Sequence, residues 1–329
     1  MNKKRLELWK RLHLSGVVLA LVMALLVMTA CGASGEEPNP AGSGNAVNHA
    51  VNTEDQARTT YPLTVVDSTG TEIVLEQAPK RVVSIVPSET ETLFAVGAGD
   101  LVVGVDEWSN YPEETANISK VGDVSTNIEA VAALNPDLVV ASVSMNSGAL
   151  EQLRELDIRV YASDPKTLEE TIAHIDQIGV ILNKQAQAAA VTEQMRSVME
   201  QVTEAVKDVP AKKVYLEFSV GYSVGKGEFI DELLTLAGGE NIAGNQEGWF
   251  EIDPEQVLQS NPELILYPDL GEDQSIPEAI VSRPGWDQID AVKNNKVIAV
   301  TNDPLVRVGP RLTEGLLELA QTLHPELVK

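Results

Sequence analysis

Only one cysteine occurs in 329 residues, Cys31, and it precedes the part of the chain that reads as a globule. A lone exported cysteine excludes an internal disulfide and leaves the folded region without a thiol nucleophile. Histidine is nearly as scarce: His13, His49, His174 and His324 stand at no spacing that suits a metal, which argues against a bare-ion site. Basic residues are outnumbered, 24 Lys and Arg against 49 Asp and Glu, for a formal net charge of −25. Such a balance argues against nucleic acid or an anionic membrane face as partner. The sequence also lacks a Gly-rich phosphate loop, an HExxH-type motif and any histidine with an obvious nucleophile beside it. It therefore reads as a binding protein rather than an enzyme, and it calls for no cofactor.

What is present divides the chain. Residues 1–30 carry a basic start, Lys3, Lys4, Arg5, Lys10 and Arg11, followed by the apolar run "LSGVVLALVMALLVMTA". That is the pattern of a secretory signal. The stretch "MTACG" is similar to a bacterial lipoprotein box, with Met28 where leucine is usual, so cleavage before Cys31 and lipidation of its sulfur are expected. Residues 31–60 have almost no large apolar side chains and read as a flexible tether with a reach of about 30 Å. The rest of the chain is then extracytoplasmic and held to the membrane by lipid alone. A tether of this length suits a Gram-positive cell surface.

From Tyr61 the patterns become regular. "YPLTVVDSTGTEIVL" alternates, turns at "DSTG" and alternates again, as a hairpin does. Short β-branched runs then alternate with helical stretches, which implies parallel sheets covered on both faces. Residues 167–183 form an amphipathic helix. Residues 184–208 have no internal Gly or Pro and read as a second helix, about 37 Å long at 1.5 Å per residue, closed by Pro210. After it the alternation restarts. The expected organisation is an α/β lobe over 61–183, a bridging helix over 184–210, and a second α/β lobe over 211–329.

One phrase occurs twice. "NIEAVAALNPDLVV" (127–140) and "DPEQVLQSNPELIL" (253–266) share five of fourteen residues, including Glu129/Glu255 and Asn135/Asn261. Asn127 and Asp253 sit at N-cap positions, so both glutamates fall at the second helical position. A carboxylate there complements the helix dipole by about 0.3–1 kcal/mol, which would account for it as structure alone. The other reading is that two matched lobes each offer one exposed anion to a two-fold partner, for instance to an arginine in a bidentate pair.

The motifs "RVVSIVPSETETLFAVGAGDLVVGV", "NYPEE", "EAVAALNPDLVV", "AGGENIA", "EQVLQSNPELIL" and "RPGWDQIDAVKNNKV" carry a resemblance over residues 80–323. They resemble bacterial ABC-transporter substrate-binding lipoproteins of the helical-backbone type, which take up cobalamin, ferric siderophores and haem. The resemblance implies two Rossmann-like α/β lobes joined by a single long α-helix, the class III periplasmic binding protein fold. It implies a monomer that captures a small molecule between its lobes and delivers it to a dimeric permease with its ATPase. Glu129 and Glu255 match the glutamates that dock on permease arginines. The cobalamin-binding member is the nearest match, on "KKVYLEFSVGYSVGKGEFIDELLTLAGGENI" and "TNDPLVRVGPRL". Trp108, Tyr222 and Trp249 then fall at ligand-facing aromatic positions, and Asp303 with Arg307 at a polar pair on the cleft edge. Ser142 stands where that member has a tryptophan, which leaves the ligand open between a corrinoid and a ferric siderophore or haem.

The residues themselves are compatible with this. Ligands of parallel sheets bind beyond the carboxyl ends of the strands, and Trp108 and Tyr222 follow strands, while Trp249 is expected in a loop. Asp303 and Arg307, four apart, would be worth under about 1 kcal/mol as an exposed pair. Ser88 offers a hydroxyl at a helix start, with ordinary capping as the alternative. An anionic siderophore would need several cleft arginines, and only Arg307 and Arg311 are candidates. Haem would want a Tyr or His axial ligand, for which Tyr222 is the nearest candidate. Trp286 reads as packing, and Tyr111 as either a structural corner or a rim contact.

Overall fold

Residues 58–329 are described by the structure, a computed structural model; Cys31, the leader and the tether up to residue 57 lie outside the described residues. The hairpin forms as its alternation predicts, with β1 (Leu63–Val66) antiparallel to β2 (Glu72–Leu75). Asp67 organises the turn. Its Oδ1 accepts the N–H groups of Thr69 and Thr71 at 2.9 and 3.1 Å, and its Oδ2 meets Arg154 at 2.5 Å. Gly70 takes the left-handed φ of 80° that the turn needs.

The first lobe alternates strand and helix: β3 (Val82–Ser84), α1 (Pro87–Ala95), β4 (Val102–Val105), β5 (Ser119–Lys120), α2 (Ile128–Ala133), β6 (Leu138–Ser142), α3 (Val143–Glu155), β7 (Val160–Ser163) and α4 (Leu168–Ile181). All five strands of its sheet are parallel, in the order β5-β4-β3-β6-β7. Helix α5 (Gln185–Val206) then leads to the second lobe. That lobe holds β8 (Lys212–Leu216), β9 (Tyr222–Val224), α6 (Phe229–Leu236), β10 (Gly239–Asn241), β11 (Trp249–Glu251), α7 (Pro254–Ser260), β12 (Leu264–Asp269), α8 (Ser275–Ser282), α9 (Asp290–Lys293), β13 (Val297–Thr301), α10 (Asn302–Val306) and α11 (Leu312–Leu323). Its main sheet is parallel in the order β10-β8-β12-β13, and β9 and β11 form a separate antiparallel ribbon. The fold is thus two Rossmann-like α/β lobes joined by one long helix.

Strand period decides which side chain meets which layer. In β6, Leu138 and Val140 face one layer while Val139 and Ala141 face the other. In the second lobe Leu264 and Leu266 of β12 face one layer and Ile265 the other. The outer layers belong to one lobe each. The inner layer is common: Val82 and Ile172 of the first lobe, Met195 and Val202 of α5, and Val214 and Leu316 of the second are parts of one continuous apolar cluster. Helix α5 reaches both lobes because Ala188, Thr192, Met195, Val202 and Val206 repeat at helical spacing on its buried side.

The repeated phrase builds the same unit twice. Asn127 Oδ1 accepts the Ala130 N–H at 3.0 Å and Asp253 Oδ1 that of Glu255 at 2.9 Å. Asn135 and Asn261 both turn left-handed at φ 45°, which ends each helix ahead of its proline. The likeness extends further than the sequence suggested. Asp137 accepts the Arg81 N–H at 2.9 Å and Glu263 accepts that of Lys213 at 3.1 Å, each fixing the neighbouring strand. Val82 then pairs with Leu138 and Val214 with Leu264.

Several expectations are corrected. The bridging helix stops at Val206, two residues short of 208, where Val209 donates back to the Val206 carbonyl ahead of Pro210. The last helix begins at Leu312 rather than Pro310. Trp249 is not in a loop but opens β11, a strand of three residues and so too short to show a period.

Because one apolar layer runs through both lobes and α5, the two lobes are expected to melt together. Calorimetry of the full chain should give a single transition with calorimetric and van't Hoff enthalpies in agreement; two resolved transitions would contradict a shared core.

Candidate ligand-binding cleft

The strand order of the first sheet reverses between β3 and β6, and a crevice opens beyond the carboxyl ends at such a point. The largest cavity among those described, about 740 Å³, lies there. The segment after β3 gives it Ile85, Val86, Pro87 and Ser88; the end of β6 gives Ser142, and the first turn of α3 gives Ser144, Met145 and Asn146. Asp106 and Trp108 come from the end of β4, and Ser163 to Lys166 from the end of β7. The second lobe supplies Glu228, Phe229, Trp249, Asn302, Asp303, Val306, Arg307 and Val308. The cavity is therefore an interlobe cleft with walls from both sheets.

Trp108, Trp249, Ser88, Asp303 and Arg307 all line this cleft. Trp108 is 64% exposed and Trp249 47%, although both carry large apolar surfaces. Trp249 stands edge-on to Phe218, ring centres 5.1 Å apart. Tyr222 is not among the lining residues; it lies exposed on β9, paired across the ribbon with Glu251. Tyr111 lies outside the cleft under Arg311, whose guanidinium carbon sits 4.1 Å from its ring centre. Trp286 is buried, with Arg283 over its ring at 4.4 Å.

Asp303 and Arg307 do pair, at 2.8 Å. A second partner comes from the first lobe. Glu91 of α1, 3% exposed, accepts from Arg307 Nη1 at 2.8 Å and from Arg311 Nε and Nη2 at 2.9 and 2.7 Å. Arg307 also donates to Asn110 Oδ1 at 2.8 Å. Gly309 lets the lobes touch here, since a Cβ on it would stand 3.1 Å from the Ser88 carbonyl oxygen. The sequence reading missed Glu91. Its signal was the polar run "SETET" at the start of a helix between apolar strands, where five successive polar side chains cannot all face water.

Two further buried acids lie under the first-lobe wall. Glu89 accepts from Ser163 Oγ and sits 2.9 Å from His174 Nε2, so that histidine is held in the core. Asp106 accepts from Ser109 Oγ and, at 3.0 Å, from the Trp108 N–H, which fixes the backbone beneath the indole. Burial pushes the Asp106 carboxyl above the usual aspartate range, against the opposing pull of those hydrogen bonds and of Lys120 and Arg307. Among the described residues no group of three or more His, Cys, Asp or Glu is placed to hold a metal ion.

The family model for periplasmic binding proteins matches residues 82–304, more than half of the chain. The chain belongs to that family. It is 32% identical to an ABC transporter substrate-binding lipoprotein of Bacillus subtilis, YvrC, over 99% of both chains. A vitamin B12-binding protein of Yersinia pestis is 30% identical over 75% of this chain and 87% of its own. Among solved structures, the periplasmic vitamin B12-binding protein BtuF of Vibrio cholerae superposes with a TM-score of 0.66 at 26% identity, covering 75% of this chain and 97% of that one. A possible iron-binding periplasmic protein of Staphylococcus epidermidis gives 0.67 at 27%, covering 75% and 100%. The chain is thus a substrate-binding component of an ABC transporter in the group that binds B12, haem and siderophores, a family of transport proteins rather than enzymes.

The raised Asp106 carboxyl sets a direction for stability. Its contribution is complete below the unfolded pKa and is lost as pH rises through the higher folded value. The stability of the wild type relative to Asp106→Asn is therefore expected to fall as pH rises from the ordinary aspartate value of about 4 through the higher folded one, as read in urea titrations; a difference that grows with pH would contradict this.

Proposed function

We propose that this chain is a lipoprotein, anchored at Cys31 on the extracytoplasmic face, that captures a cobalamin-type corrinoid between its lobes and passes it to a dimeric permease. The observation that carries the reading is the character of the cleft: two exposed indoles, one from each lobe, over a floor of hydroxyl and amide groups whose arginine is already neutralised. A wide macrocycle fringed with amides suits apolar walls and many hydrogen-bonding groups. Met145, 52% exposed and three residues beyond Ser142, gives that wall a soft apolar contact where the aromatic is missing.

The runner-up is a ferric siderophore or haem, favoured by the similarity to the possible iron-binding protein. An anionic siderophore would meet Asp106, Asp164, Glu228 and Asp303 against only Lys166 and Arg307, and Lys166 lies 3.0 Å from Asp164. Of the side chains that bond haem iron axially, Met145 alone lines the cleft.

Delivery rests on Glu129 and Glu255. Both are exposed at the second position of their helices, and among the described residues neither makes an ion pair. Helices that return to parallel strands begin at the carboxyl edge of the sheet, so each acid stands at the cleft-facing end of its lobe. Val124 and Trp249, a few residues before them, line the cleft itself. A two-fold receptor with paired arginines is the partner these positions fit, and the chain acts as a monomer.

Titration of the full chain with cyanocobalamin, a ferric hydroxamate, a ferric catecholate and haem, followed by tryptophan fluorescence, tests the ligand. Cyanocobalamin is expected to quench most strongly, and Trp108→Ala or Trp249→Ala to weaken its binding by about 2 kcal/mol, roughly thirtyfold. No response to cyanocobalamin together with tight binding of an iron chelate would overturn the corrinoid reading. For delivery, Glu129→Ala and Glu255→Ala are expected to keep the ligand affinity while uptake into cells falls. Weakened binding in either variant would make them cleft residues instead.

A further inference from the structure

We infer that Glu91 is the residue that sets the charge of the acceptable guest, an inference that rests on the reading of the interlobe cleft as the ligand site. Substrate-binding clefts that hold anions need cations free to donate. This chain has two candidates four residues apart in the second lobe: Arg307, which lines the cleft, and Arg311, which with Glu91 lines a neighbouring pocket. Neither is free. Glu91 reaches them from the opposite lobe and takes two bonds from Arg311 and one from Arg307, while Asp303 stands 2.8 Å from Arg307 and 3.9 Å from Arg311.

The placement of Glu91 is costly unless it is paired. It is 3% exposed, in the second turn of α1, among Thr90, Thr92 and Leu93, all fully buried. A carboxylate so placed is stable only against cations that complete its hydrogen bonds. The two arginines do so, and in doing so Arg307 spends on the protein the donors an anionic guest in the cleft would use. Arg307 still lines the cleft, but its charge is cancelled by two carboxylates before any guest arrives. Glu91 thus excludes anions by pre-emption rather than by blocking space. It also fixes the lobes, because the bonds cross from α1 to the segment after α10.

The test compares the full chain, purified in detergent, with Glu91→Gln. The probes are cyanocobalamin, a neutral ferric trihydroxamate and a trianionic ferric tricatecholate. The wild type is expected to hold the tricatecholate at least about tenfold more weakly than its best neutral probe. Glu91→Gln is expected to gain about tenfold or more for the tricatecholate, while its affinity for the neutral probes moves by less than about threefold. That gain should shrink in high salt and vanish on adding Arg307→Met, which a loosened structure alone would not produce. Should Glu91→Gln fail to fold with two cations left unpaired, Glu91→Gln/Arg311→Gln leaves a single free arginine and is expected to show a smaller gain of the same sign.

A folded variant with no gain for the tricatecholate overturns the role of Glu91, as does a wild type that binds the trianion as tightly as the neutral probes. Failure of every neutral probe to bind the wild type would instead count against the corrinoid reading. The role of Glu91 is still decided in that case by whether the trianion is gained.

Discussion

Everything in this molecule depends on a parallel sheet having two faces to cover. Strands such as "DLVVA" are apolar on both sides and demand a layer against each. The chain meets that demand with helices of the same lobe on the outer faces. On the inner faces it uses one shared layer, in which α5, α4 and α11 meet between the sheets. The lobes are consequently held by apolar packing along one side and by the Glu91 cluster near the cleft. With the lobes attached at both places, a small closure is the motion to be expected of them.

The architecture was legible because it is written in period and punctuation. The hairpin turn at Asp67 to Gly70, the alternation of strands and helices, and the uninterrupted run from Gln185 to Val206 each carry a local signal. So did the pairing of Asp303 with Arg307, which needs only a spacing of four. What failed to show is what chain distance conceals. Glu91 and Arg307 are 216 residues apart, and nothing local says that a carboxylate at a helix start will meet an arginine of the other lobe. The ribbon of β9 and β11 was hidden for a different reason: strands of three residues have no measurable period, so Trp249 looked like a loop residue and Tyr222 like a cleft residue. The direction in which a side chain leaves a short ribbon is a tertiary fact.

The two halves share a repeated unit and put it to unequal use. Ile85 and Glu217 occupy matching places just past the first strand of each sheet, where the N–H of Ile85 bonds the Val140 carbonyl and that of Glu217 the Leu266 carbonyl. In the first lobe that place opens on the cleft. In the second it is closed by Glu217 itself, fully buried, which accepts from Arg283 Nη1 at 2.6 Å and from the Gly221 N–H at 2.8 Å. The second lobe therefore reaches the cleft from the start of α6, from β11 and from the segment following β13 instead.

The start of the described chain is pinned at a particular pole. Thr59 bonds Asn183 and the Val180 carbonyl, and the Tyr61 hydroxyl donates to the Ile181 carbonyl at 2.8 Å. Helix α4 begins at the cleft and runs away from it, so these contacts lie at the end remote from the opening. The chain therefore enters the folded body at the pole opposite the opening, and the mouth of the cleft stays clear of that junction.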